Sequence, residues 1–133
     1  MNQQEIYIET ILIEAPSAIE EVFPPVPLPY TAEHIVSRIE YYAARYEVSY
    51  EIMYGLVRCE TAGTFDPNIQ SGHFRPNGEQ EQSYGLVQIY LPAHPYVSYE
   101  QATDVDFSLE FLASNMAKGN HSMWSCYNIL YGP

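Results

Sequence analysis

Glu60 occupies the position best suited to proton transfer in this chain. It follows Ile52, Met53, Leu56 and Val57, apolar positions at helical spacing in a segment that Ser49 can cap. Thr61-Ala62-Gly63-Thr64 then stops that segment, so Glu60 ends a predicted amphipathic helix. The negative end of a helix dipole disfavours a carboxylate, and partial burial raises its pKa further. A carboxyl kept protonated near neutral pH can act as a general acid towards an oxygen leaving group such as a glycosidic one. Taken alone, a Glu at a helix end is more commonly a solvated charge. Glu79 and Glu81 alternate onto one side of a hairpin predicted around Asn77-Gly78. Either offers the second carboxylate that inverting hydrolysis needs about 6.5–9.5 Å away; both read more simply as solvated loop charges. Asp66 precedes Pro67 and reads as a turn cap.

Other chemistries find less support. His73, His94 and His121 are scattered, without a His-Glu-x-x-His or Cys-x-x-Cys pair, so no metal and no cofactor is expected. A mixed site built on Cys59 or Cys126 is the remaining alternative. His34 sits in the first predicted helix as a surface residue. Ser71 and Ser83 lack the nucleophile-elbow pattern of serine hydrolases.

The elements that must position Glu60 are mostly helical. Thr31 can cap a helix carrying Ile35, Ile39, Tyr42, Ala43 and Tyr46 on one face, and Glu47-Val48 breaks it before the Glu60 helix. Residues 64–85 are polar and turn-rich. Ser98-Tyr99-Glu100-Gln101 has capping-box spacing. Asp104 or Asp106 starts a longer helix with Phe107, Leu109, Phe111, Leu112 and Met116, which Gly119 closes. A short aromatic segment from His121 to Tyr131 follows. The fold class is mainly α, with a small β-hairpin or loop lobe after the Glu60 helix. Residues 1–30 read differently, as an acidic, proline-rich arm. Phe23-Pro24-Pro25-Val26-Pro27-Leu28-Pro29 forces an extended path, leaving one domain over 31–133.

Composition narrows the partners. The chain has 133 residues, room for one core, with 17 Asp+Glu against 5 Lys+Arg and a net charge of −12. Nucleic-acid binding requires clustered Lys and Arg, and an anionic membrane surface would repel this charge. No apolar run approaches the ~20 residues of a membrane helix, and no basic n-region marks a standard secretory signal. Thirteen tyrosines offer apolar faces with polar tips. Two cysteines allow one bridge or two free thiols.

Several motifs occur in a fixed order: Cys59-Glu60-Thr61-Ala62-Gly63, Phe65-Asp66-Pro67-Asn68, Ser71-Gly72, and Ser83-Tyr84-Gly85-Leu86-Val87-Gln88-Ile89. This order resembles the lysozyme-like lytic transglycosylases, whose pattern runs Glu-Ser, Phe/Trp-x-Pro, Ser, then Gly-Leu-x-Gln-Ile. Trp124-Ser125-Cys126, set against Cys59, resembles the resuscitation-promoting-factor branch in particular. The resemblance covers roughly residues 32–128 and leaves the arm outside.

The resemblance implies a lysozyme-like α+β domain that cleaves the MurNAc–GlcNAc β-1,4 bond of peptidoglycan. Glu60 matches its catalytic acid/base, Ser71 a serine near that Glu or its substrate, and Gly85, Gln88 and Tyr90 the groove-lining segment. Tyr127 matches a tyrosine that orients the Glu, although it follows Trp124 more closely than in the soluble transglycosylases. It also implies a Cys59–Cys126 bridge, closing a loop worth roughly 4 kcal/mol by chain entropy, and an extracytoplasmic working place. In the family a single Glu suffices, protonating the leaving oxygen and then activating the muramic 6-hydroxyl to form a 1,6-anhydro ring. Tyr84, Tyr90, Tyr96, Tyr99 and Tyr127 offer rings for stacking on sugars, most of them needed for packing instead. The implied partner is a peptidoglycan strand met by a monomer. The alternatives are a hydrolytic lysozyme on the same fold and an inactive glycan-binding module; an intact Glu60 argues against the module. The charge of −12 favours a wall poor in anionic polymer, or salt that screens repulsion.

Overall fold

Helix α1 (Ala32–Tyr46) begins where Thr31 accepts the His34 N–H at 3.0 Å, and it buries Ile35, Ile39, Tyr42 and Ala43 along one face. These coordinates, a computed structural model, describe residues 31–132; the proline-rich arm read at 1–30 lies outside the described residues. Glu47 ends α1 in the left-handed region at φ 55°. Ser49 then accepts the Ile52 N–H at 3.1 Å and opens α2 (Tyr50–Glu60). Its buried residues are Met53, Leu56 and Val57.

Ser98 and Gln101 form a reciprocal capping box on the short α3 (Tyr99–Ala102). Asp104 accepts the Phe107 N–H at 2.8 Å and starts α4 (Val105–Ala117). The chain ends in α5 (Ser125–Tyr131), a helix that the aromatic run after His121 did not announce.

The core lies where these helices meet. Helix α1 packs on α4 and on α2, while α2 also packs on α5. Ile35, Ile39, Met53, Leu56, Leu109 and Leu112 have no exposed surface. Each such side chain contributes on the order of 2 kcal/mol when removed from water. At the rim of the α1–α4 seam, Arg38 Nε meets Asp106 Oδ1 at 2.8 Å and Tyr46 donates to Glu110. Both groups are partly solvated, so they set register more than they stabilise.

The β part is smaller than the helical part and sits after α2, in the expected place. Strands β1 (Ser83–Tyr84) and β2 (Ile89–Tyr90) pair antiparallel, Ser83 opposite Tyr90 and Tyr84 opposite Ile89. Thus the ladder falls either side of Gly85-Leu86-Val87-Gln88 rather than of Asn77-Gly78. The Asn77-Gly78 hairpin exists only as one bridge, Phe74 opposite Gln80, closed by Arg75 N–H to Glu79 C=O at 2.7 Å. Its flanks are exposed and gain nothing by pairing, whereas Leu86, Val87 and Ile89 are buried. The architecture is mainly helical with one small antiparallel sheet. Among the described residues no helix is long and apolar enough to cross a membrane.

Gly85 carries the turn between the strands. It sits at φ +87°, and a Cβ there would stand 1.9 Å from the Ala102 carbonyl oxygen. Gly85→Ala is expected to cost about 2–4 kcal/mol in urea denaturation, from overpacking plus left-handed strain. Gly72→Ala, where a Cβ meets nothing within 4 Å, should stay within about 0.5 kcal/mol of wild type.

Candidate active site

Glu60 is placed by the way α2 ends. The Gly63 N–H returns to the Arg58 carbonyl at 2.7 Å and the Ala62 N–H to Cys59 at 3.1 Å, a Schellman closure with Ala62 left-handed at φ 52°. Thr61, fully buried, locks it: its hydroxyl donates to the Val57 carbonyl at 2.8 Å and accepts the Phe65 N–H at 3.0 Å. The helix therefore stops at Glu60, with that side chain half-buried in a cleft of about 510 Å³. This volume lies in the range of small-molecule sites.

Cys59 and Cys126 are bridged, their Cα atoms 6.1 Å apart. The bridge brings the first turn of α5 against the end of α2, and both cysteines line the cleft. Trp124 is buried beside them, and its indole N–H donates to the Val87 carbonyl at 2.7 Å. One hydrogen bond thereby ties the start of α5 to the β1–β2 turn.

Burial is the main force on Glu60 and pushes its carboxyl up to about 7. A backbone N–H of Cys126 opposes the rise, and the charge of Glu81 adds to it. A carboxyl with its pKa near neutrality can hold the proton an acid must give and release it to become the carboxylate a base must be.

Ser71, Gln88 and Tyr90 line this cleft with Glu60. Ser71 is buried, and its hydroxyl donates to Glu81 Oε1 at 2.9 Å while accepting the His73 N–H at 3.1 Å. Gln88 stands at φ 51°, and its amide nitrogen donates to the Ile69 and Gly85 carbonyls at 3.2 and 3.0 Å. Gln88 thus braces the turn it belongs to as well as facing the cleft.

Gly85 does not line the cleft; it is buried against Ala102. Tyr127 does not line it either, because its ring packs between His121 and Tyr131, at 4.9 and 5.3 Å between centroids. Of the tyrosines considered for sugar stacking, Tyr90 alone lines the cleft; Tyr84 packs edge-on against Tyr99 at 5.0 Å.

Glu79 and Glu81 part company. Glu79 is exposed beside Arg75, as a solvated loop charge would be. Glu81 instead faces the cleft, because the chain reverses at Asn77-Gly78 and returns it beside Ser71. Gln70, His73, Met123 and Ile129 also line the cleft. Met123 and Ile129 carry no spacing signal and flank the bridged Cys126, on the segment that the bridge and the Trp124 bond hold against the cleft. No Lys or Arg is among the lining residues, and no group of His, Cys, Asp or Glu among the described residues is arranged to hold a metal ion.

Compared with protein-family descriptions, curated proteins and solved structures, the chain matches none of them.

The raised Glu60 pKa has a consequence for stability. Unfolding returns the carboxyl to about 4.3, so the native state favours its protonated form. The contribution of Glu60 to stability is fully present below that value and is lost as pH rises through about 7. Glu60→Gln, which carries no charge, is expected to exceed wild type by about 2 kcal/mol at pH 8, after discounting for solvent screening, and to equal it at pH 4. Urea denaturation at both pH values measures this, and equal stability at pH 8 would mean a solvated Glu60.

Proposed function

We propose that this protein is a peptidoglycan lytic transglycosylase with a lysozyme-like fold, cleaving the MurNAc–GlcNAc β-1,4 bond through Glu60. One observation carries the reading: a half-buried carboxyl at a helix end, held near pKa 7, in a cleft able to take a ligand. The lining supports a neutral, polyhydroxylated substrate. It presents the Ser71 and Ser83 hydroxyls, the Gln70 and Gln88 amides and the Tyr90 ring, with no cation to prefer an anion.

The reaction needs only one carboxyl. Protonated Glu60 gives its proton to the glycosidic oxygen, the C1–O bond breaks, and the GlcNAc side leaves with a free 4-hydroxyl. The Glu60 carboxylate then takes the proton of the muramic 6-hydroxyl, whose oxygen bonds to C1 and closes the 1,6-anhydro ring. Glu60 ends as it began, protonated, and no water is consumed. Ser71, Gln88 and Tyr90 position the glycan. The resemblance of residues 59–89 and 124–126 to that family points to the same chemistry. The bridge beside Glu60 suits work outside the reducing cytosol, in the envelope or beyond it.

A second reading, hydrolysis, is favoured by Glu81, which shares the cleft and offers a base for water. Digestion of purified peptidoglycan by wild type and Glu60→Gln, read by mass spectrometry of the released muropeptides, separates the two. Anhydro-muramic ends from wild type, reduced at least about 1,000-fold by Glu60→Gln, are the expected result. Reducing ends would establish the hydrolase, and no release by either protein would sink both.

A further inference from the structure

Glu81 has no role in the single-carboxyl reaction, yet the fold holds it in the cleft with more bonds than a loop charge needs. Its carboxylate accepts from the Ser71 hydroxyl at 2.9 Å. Its backbone is fastened on both sides, the N–H to the His73 carbonyl at 2.8 Å and the C=O to the Gln70 amide at 3.1 Å. Ser71 is fixed in turn by its N–H to the Ser83 carbonyl at 2.9 Å and by the Gln80 amide on its own carbonyl at 2.7 Å. No ion pair between described residues includes Glu81. A carboxylate tethered in this way, without a cation, acts on its neighbours through its charge.

The groups that line the cleft with Glu60 identify which neighbour responds. The β side contributes Glu81, His73 and Tyr90, and α5 contributes the Cys126 N–H. Arg58, on the helix of Glu60 itself, borders a separate hollow with Gly55, Gly63 and Leu130. Glu81 is therefore the one other carboxylate in the cleft, set against the positive end of a peptide dipole from α5.

We propose that Ser71 and Glu81 form a positioning pair for the reaction assigned above: Ser71 holds the Glu81 charge in the cleft, and that charge adds to burial in keeping the proton on Glu60 until the glycosidic oxygen arrives. The pair thereby opposes the Cys126 N–H, which favours the Glu60 carboxylate needed in the second half of the reaction. The inference rests on the transglycosylase reading for its purpose, but not for its test.

The test reads the Glu60 proton directly. Protein labelled with 13C at the Glu carboxyl carbons is titrated by NMR as wild type, Glu81→Gln, Glu81→Asp and Ser71→Ala, with Glu60→Gln identifying the Glu60 resonance. Glu81→Gln keeps an acceptor for Ser71 and removes only the charge. The Glu60 midpoint, about 7 in wild type, is expected at lower pH in Glu81→Gln and Ser71→Ala, and back towards wild type in Glu81→Asp. In the pH profile of kcat/KM, the alkaline limb of Glu81→Gln is expected at lower pH than in wild type, in step with the Glu60 midpoint. An unmoved midpoint in Glu81→Gln overturns the proposal. If that variant does not fold, an unmoved midpoint in Ser71→Ala overturns it instead. Absence of anhydro-muropeptides from wild type overturns the transglycosylase reading without touching the titration, so the two failures are distinguishable.

Discussion

The Cys59–Cys126 bridge joins segments 67 residues apart, one residue before Glu60, and the cleft is assembled around it. Without it the end of α2 and the start of α5 would meet only through the packing of two short helices. With it, the first turn of α5 is held against the Glu60 carboxyl, and Trp124, two residues earlier, fixes the β1–β2 turn through the Val87 carbonyl. Three segments distant in sequence thus converge on one carboxyl. The closed loop also restricts the unfolded chain by roughly 4 kcal/mol, which matters for a single small core.

The cleft's two sides are stabilised by different forces. The helical side rests on fully buried Met53, Leu56, Leu109 and Leu112. Besides Leu86, Val87 and Ile89, the other side is polar and is held by side-chain-to-backbone bonds from Gln70, Gln80 and Gln88. Such bonds each contribute only about 1 kcal/mol net but leave costly unsatisfied groups if broken. Backbone strain gathers in the same region: Ala62 and Gln88 line the cleft in left-handed conformations that non-glycine residues rarely adopt. Strain of this kind persists where the surroundings over-determine it, as the Thr61 lock and the Ile69 carbonyl do here.

Much of the helical frame was legible in the sequence because its signals are local. Thr31, Ser49, Ser98 and Asp104 all act as caps, each accepting a backbone N–H within three residues. The apolar spacing of Ile35, Ile39, Met53 and Leu56 marks the buried faces for the same reason. The strand positions were less legible. Asn-Gly is a strong turn signal, but pairing is decided by what the flanks bury, and only the segment around Leu86 and Ile89 buries anything. Helix α5 gave little notice, since its Ile129, Leu130 and Tyr131 are exposed and show no amphipathic period.

The sequence by itself determined where α1, α2 and α3 start, which of the longer helices' faces are apolar, and that Glu60 ends α2, because capping and helical periodicity act over a few residues. Tertiary structure alone decided that Glu81 faces the cleft while Glu79 does not, that Tyr127 turns away to His121, and that Met123 and Ile129 reach the rim. It also decided the Glu60 proton. That pKa is set by burial in the cleft, by the Cys126 N–H that a bridge across 67 residues holds there and by the Glu81 charge that the Asn77-Gly78 reversal returns, and solvent exclusion is a property of the packed molecule, which no local spacing encodes.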